Sequence, residues 1–233
     1  MQIFYTPDIA VSQTLSEEES GHCVRVLRKN IGDEITLTDG KGSFYKAAIT
    51  NPHPKRCEFE IVETEVQPPL WNFNLEIAVA PTKNMDRMEW FVEKSTEIGI
   101  NKITLLNCRF SERKEVKTAR LDKIAISAMK QSQKATAPVI TDMTDFKKFV
   151  VQPFDGRKFI AHCEDQAEKR LIKQIYNPGE NALVLIGPEG DFSPEEIQMA
   201  LANGFEPISL GESRLRTEAA ALFACATLQV LNQ

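Results

Sequence analysis

From residue 75 onward the chain alternates short apolar runs with longer amphipathic ones. LEIAVA (75–80), KITLLNC (102–108), KFIAHC (158–163), ALVLIG (182–187) and PISLG (207–211) are each strand-sized and nearly free of charge. Helical patterns lie between them. Residues 84–98 carry Met85, Met88, Phe91, Val92 and Ile98 on a helical period, and Gly99 follows as a C-cap. Further helices are predicted over 119–134, around 165–175, after Ser193 and over the strongly apolar 217–232. Strands that are apolar throughout are buried on both faces, and strands separated by helices pair in parallel. The C-terminal part is therefore an α/β fold with a parallel sheet and flanking helices.

The first seventy residues follow another grammar. EITLTDGKGSFYKAAIT (34–50) reads as strand, Asp39-Gly40-Lys41-Gly42 turn and strand, which is a hairpin signal. CEFEIVETEV (57–66) alternates apolar and polar residues like a half-buried strand. Short strands joined by turns predict a small β-barrel. Pro68-Pro69 then interrupts the chain, so the predicted division is residues 1–70 and 71–233.

Composition narrows the function classes. No run approaches the ~20 apolar residues of a membrane span, and the N-terminal residues lack a basic start and an apolar stretch of the secretory type. A cytoplasmic protein without membrane contact is expected. Five cysteines, an odd number with no CxxC spacing, predict reduced and mostly buried thiols, with no zinc site. The three histidines, His22, His53 and His162, lie far apart in sequence, and no metal site is expected. Net charge is −5, but unevenly spread: residues 71–150 carry 14 basic and 10 acidic groups, whereas both flanking segments are acidic. Arg109, Arg113, Lys114, Lys117, Arg120, Lys123, Lys130 and Lys134 make a basic stripe, which is either a phosphate-contacting surface or a solvated helix face.

LIGPEGDFSPEE (185–196) is the most specific stretch. An apolar strand stops at two glycines and a proline, and a helix start follows at once. Gly187 and Gly190 lack a Cβ, so backbone can approach a ligand there and take up positive φ. Ser193-Pro194-Glu195-Glu196 forms a capping box with proline at N1. That helix end is already capped, which argues against a phosphate cradle, and Glu189 and Asp191 suit a neutral or cationic ligand instead. PISLGESRLRTEAA (207–220) repeats the design: strand, Gly211, a loop with Arg214 and Arg216, and Thr217 as a candidate cap. Two such units would form two walls of one pocket at the carboxyl ends of the strands.

Together these two stretches resemble the RsmE family, the 16S ribosomal RNA (uracil-N3) methyltransferases of the SPOUT superfamily. HCVRVLRKNIGDEITLTDGKGSFYKAAI (22–49) resembles that family's PUA-like barrel, and KNMDRMEWFVEKSTEIGI (83–100) and RLDKIAISAMKQSQKATAPVI (120–140) resemble its central segments. The chain departs from the family pattern at LGES (210–213), where LGPR is usual, at Asp191, where a glycine is usual, and at Lys134, where arginine is usual. The resemblance implies a SPOUT domain with a trefoil knot over 71–233 and an RNA-recognising barrel over 1–70. It implies homodimers, S-adenosyl-L-methionine as cofactor and small-subunit ribosomal RNA as partner. The implied cofactor-binding residues are His162, Leu185, Ile186, Gly187, Pro188, Glu189, Gly190, Leu210, Gly211, Leu215, Arg216 and Thr217. Arg216 and Glu218 are the implied catalytic pair, and Arg25, Arg28, Arg109, Arg113, Lys114 and Lys134 the implied RNA contacts. The alternatives are the same chemistry on transfer RNA, or an RNA-binding protein with a retained pocket.

Overall fold

The computed structural model describes residues 2–164 and 169–233. The chain divides into two compact units. The first holds residues up to Leu70 together with 126–137, and the second holds 71–125 and 138–233.

The first unit is built on four strands: β1 (Ile3–Tyr5), β2 (Glu34–Thr38), β3 (Ser43–Asn51) and β4 (Glu58–Val66), in that order across the sheet. β1 and β2 run parallel; the other two pairings are antiparallel. The predicted hairpin is β2–β3. Gly40 and Gly42 take positive φ in its turn, and the Asp39 carboxylate accepts from Lys41 N at 2.8 Å. A short helix α1 (Glu17–Gly21) is capped by Ser16 and runs into a π-helical turn over 22–26. Phe4, Leu37, Ile49 and Phe59 form the core with the thiols of Cys23 and Cys57. Residues 126–137 join this unit at the hairpin turn, where Ala135 O accepts from Gly42 N at 2.9 Å and from the Thr38 hydroxyl at 3.2 Å. That return of the chain carries no local sequence signal.

The second unit is the predicted parallel sheet. Its strands are β5 (Leu75–Val79), β6 (Lys102–Asn107), β7 (Val139–Asp145), β8 (Arg157–Ala161), β9 (Arg170–Leu171), β10 (Ala182–Ile186) and β11 (Glu206–Ser209). They lie in the order β7-β6-β5-β10-β8-β11-β9, and every pairing is parallel. The helices are α2 (Met85–Ile98), α3 (Thr118–Gln131), which begins in this unit and ends in the first, α4 (Phe146–Val150), α5 (Ile172–Ile175), α6 (Pro194–Ala202) and α7 (Thr217–Leu231). Side chains alternate between the two faces of a strand, and β10 shows why its run is apolar throughout. Val184 and Ile186 enter one core with Phe91, Ala224 and Leu228, while Leu183 and Leu185 enter another with Phe146, Phe192 and Ile197.

One expectation needs correction. Where a helix is predicted around 165–175, Arg170–Leu171 is strand and Ile172–Ile175 is α5; residues 165–168 lie outside the described residues. β7 and α4 were not predicted. β7 is half-exposed along its length and reads VITDMTD, so no apolar run marks it. Cys163 is exposed, unlike the other four thiols. Among the described residues no helix is long and apolar enough to cross a membrane, and no group of three or more metal-ligating side chains occurs.

Candidate functional site

All seven strands of the second unit point the same way, so their carboxyl ends share one edge. The chain order reverses there between β5 and β10, where open α/β sheets leave a crevice. Hydrogen bonds tie the loops of this edge into one constellation. The Thr217 hydroxyl donates to Gly187 O at 3.1 Å, joining the start of α7 to the loop after β10. Cys163 N, just beyond β8, donates to Asp191 Oδ2 at 2.8 Å. Lys83 N, in the loop after β5, donates to Glu189 Oε1 at 3.1 Å. Behind them the predicted capping box is formed: Ser193 Oγ accepts from Glu196 N, and Glu196 Oε2 accepts from Ser193 N at 2.9 Å. The second Glu196 oxygen takes Arg109 N at 2.8 Å, which ties the turn after β6 to α6.

The predicted cofactor loops therefore meet, but for other local reasons than those read from sequence. Gly187 and Gly190 do not take positive φ. A Cβ on Gly187 would stand 3.1 Å from the Phe192 ring, and one on Gly190 would stand 3.3 Å from the Phe110 Cβ, so both glycines serve close packing. The left-handed residue of this loop is Asp191, with φ 65°. Aspartate tolerates that conformation when its side chain bonds locally, and Asp191 Oδ1 accepts from Phe192 N at 2.8 Å. Gly211 does have positive φ, 115°, and open space where a Cβ would be. Leu185, Ile186, Gly187 and Pro188 are buried, Glu189 and Gly190 are exposed, Leu210 is half-buried, and residues 211–216 are exposed throughout, including Leu215.

One further correction concerns the start of α7. Arg216, not Thr217, occupies the N-cap position, and Thr217 begins the helix with its hydroxyl turned to Gly187. Glu218 is only 8% exposed; its Oε1 lies 3.8 Å from Arg87 Nε, and its Oε2 is buried with no partner. Arg216 is exposed. His162, at the end of β8, is 7% exposed, and neither ring nitrogen has a partner. Burial, reinforced by the nearby Lys169 ammonium, holds its pKa below the ordinary histidine value, so the ring is neutral at pH 7. Buried polar atoms without partners are rare in native proteins. Here two such groups flank one cluster of loops, which suits a ligand that brings hydrogen-bonding groups of its own.

The six predicted RNA contacts divide between the two units. Arg25, Arg28 and Lys134 belong to the first unit and Arg109, Arg113 and Lys114 to the second. Arg25 and Arg28 are exposed, and Lys134 is half-buried and engaged in contacts of its own. Arg109 pairs with Glu195 at 3.0 Å, Arg113 donates to the carbonyls of Thr82 and Lys83, and Lys114 donates to Asn107 and to Cys108 O. These three hold the loop after β6 in place. Arg87 and Lys83 complete the site; both lie in the segment 83–100 that carries the resemblance, which assigns them no role, and Phe110, a single aromatic, has no periodicity that marks it.

The RNA methyltransferase domain family matches residues 69–229, and the RNA methyltransferase PUA domain family matches 15–62. The fold is that of a probable rRNA-methyltransferase from Porphyromonas gingivalis, with 43% identity, 100% of this chain and 98% of that chain covered, and a TM-score of 0.95. A ribosomal RNA small subunit methyltransferase E from Neisseria gonorrhoeae, solved with S-adenosyl methionine bound, superposes with a TM-score of 0.85 at 31% identity, covering 99% and 98% of the two chains. The ribosomal RNA small subunit methyltransferase E of Rickettsia conorii is 28% identical over 94% of this chain and 89% of its own length.

Proposed function

The chain belongs to the RNA methyltransferase family, and from that premise we propose that it transfers a methyl group from S-adenosyl-L-methionine to N3 of a uridine in small-subunit (16S) ribosomal RNA. The carrying observation is the knot of contacts around Gly187, with the partnerless His162 ring and Glu218 Oε2 beside it. Its residues fit the cofactor: a neutral imidazole and a buried carboxylate oxygen that both lack partners, and acidic side chains at Glu189, Asp191 and Glu218 that suit a sulfonium cation. When bound, S-adenosyl-L-methionine supplies an activated methyl group. The protein must then orient the uracil and manage one proton. Arg216 at the N-cap of α7 donates to O2 or O4, where negative charge collects as N3 loses its proton. Glu218 Oε2 takes that proton. Leu185, Ile186, Pro188, Leu210, Gly211, Leu215 and Thr217 supply the walls.

The first unit, with Arg25, Arg28 and Lys134, is the RNA-recognising part of this reading. Its acidic balance favours an assembled small subunit, recognised by shape, over naked RNA. The working form is a cytoplasmic homodimer with the SPOUT knot. In support, α2 and α7 carry large apolar side chains turned to solvent, Trp90 at 43% and Phe223 at 47% exposure. Labelled S-adenosyl-L-methionine offered with naked 16S RNA, intact unmodified small subunits and bulk transfer RNA tests the reading. Nucleoside analysis should return labelled 3-methyluridine from small subunits. Label on another nucleoside, or on transfer RNA alone, overturns the substrate.

A further inference from the structure

Arg109 and Phe110 occupy the two central positions of the turn that ends β6. The turn is closed by Ser111 N donating to Cys108 O at 3.1 Å and by Cys108 N donating to Ser111 Oγ at 3.0 Å. Arg109 N is held by the buried Glu196 carboxylate, and the Arg109 guanidinium by Glu195. Downstream, Arg113 is fastened to the carbonyls of Thr82 and Lys83. This is a firmly held turn, yet it carries a phenylalanine that is 47% exposed. The Phe110 side chain leaves the backbone against Gly190 of the loop after β10, where an added Cβ would stand 3.3 Å from the Phe110 Cβ. The Arg109 guanidinium lies 5.6 Å from the ring centroid, within cation–π range.

A lone exposed phenylalanine needs no explanation, but this one stands on a braced turn, at the rim of the proposed cofactor site, with arginine over its ring. An exposed aromatic face beside cations has the chemistry that recognises an unstacked nucleobase and its phosphates, because every base has a π-face. We propose that Phe110 is a stacking platform for a base of the substrate RNA, next to the uridine that is methylated, with Arg109 fixing the ring. Phe110 is thus a substrate-positioning residue and not part of the methyl transfer itself. Gly190 couples the platform to the cofactor loop by contact and needs no movement to do so. This inference rests on the methyltransferase reading above.

The test uses full-length wild type, Phe110→Ala, Phe110→Leu and Phe110→Trp, with unmodified small subunits as substrate. One stacked base corresponds to roughly 5- to 150-fold in affinity. Phe110→Ala should raise the RNA KM by that factor while S-adenosyl-L-methionine affinity, by titration calorimetry, and thermal midpoint stay near wild type. Phe110→Leu should behave like alanine, and Phe110→Trp should restore KM. A red-excited nucleobase probe beside the target uridine should change emission with wild type and tryptophan, but not with alanine. A leucine variant as good as wild type, or cofactor affinity falling in parallel with RNA affinity, overturns the platform in favour of plain packing. A changed oligomeric state in Phe110→Ala by light scattering overturns it in favour of a protein contact. A wild type active on no RNA overturns the methyltransferase reading and the platform with it; an active wild type with an equally good alanine variant overturns the platform alone.

Discussion

The two strand–loop–helix units at the carboxyl edge look alike in sequence and differ in how they are held. The loop after β10 is pre-formed. Its backbone and carboxylates are bonded to the loop after β5, to the segment after β8 and to the first residue of α7. The loop after β11 is exposed from Gly211 to Arg216; among the described residues its hydrogen bonds are those of the Ser209–Gly211 turn and the one that Arg216 O accepts from Ala220 N where α7 begins. One wall of the proposed pocket is thus shaped by the protein itself. The other offers Arg216 from a segment that folding leaves uncommitted. Pre-formed groups set cofactor affinity, whereas a group presented on an unbraced loop can reserve its interaction for the reacting substrate.

The largest effect separates these roles. Arg216→Ala should lower turnover on small subunits by about 10²–10³-fold, the usual loss for one transition-state donor. Cofactor affinity should change much less. Calorimetry alongside turnover at saturating cofactor checks both, and turnover recovering fully at saturation would return Arg216 to a purely binding role.

Next come the glycines. Gly187→Ala places a Cβ 3.1 Å from the Phe192 ring and 3.2 Å from its backbone nitrogen, inside a packed loop. Overpacking of this kind costs ~1–3 kcal/mol, which for a chain this size lowers Tm by about 2–12 °C. Cofactor affinity should fall with it. Gly211→Ala meets no atom within 4 Å. Only its φ of 115° opposes the change, and an exposed loop can relax, so Tm should move less than for Gly187→Ala. Equal Tm shifts in the two variants would show that the loops are equally braced.

These glycines also mark how far the sequence could be read. The parallel sheet was legible because burial on both faces leaves a run such as ALVLI without a polar residue. The capping box at 193–196 was legible because its chemistry is local. That Gly187 and Gly190 are close-packed glycines, and that Asp191 is the left-handed residue, was not, since it depends on how the loop folds Phe192 back onto Gly187 and on Phe110 and Cys163 arriving from elsewhere in the chain. The burial of Glu218 was not legible for the same reason: it and the neighbour Arg87 are set by the packing of α2 and α7. Half-exposed β7 and the return of 126–137 to the first unit left no periodic trace at all.

Asp191 allows a finer cut. Asp191→Gly keeps the left-handed backbone and removes two acceptors; Asp191→Ala removes both and adds strain at φ 65°. Chemical denaturation should rank wild type above glycine and glycine above alanine, with steps of about 1 kcal/mol. Alanine as stable as glycine would mean that the loop relaxes and is less braced than its hydrogen bonds imply.

The smallest effect belongs to His162, on the braced side. Its folded pKa is lowered, by burial first and by Lys169 second. At pH 7 the ring is neutral in the folded chain and mostly neutral in the unfolded one, so it adds little pH dependence there. As pH falls through the unfolded value near 6.5, the unfolded chain takes up a proton that the folded chain refuses. Stability is therefore lost as the solution is acidified, by at most about 1.4 kcal/mol per pH unit, until the lower folded pKa is reached. His162→Gln should remove that slope while leaving the pH 7 midpoint nearly unchanged. Denaturant midpoints at pH 7, 6 and 5 for the two proteins measure it. Parallel curves would mean that the ring takes up its proton in the folded chain as readily as in the unfolded one, and hence that the end of β8 is as open to water as the loop after β11.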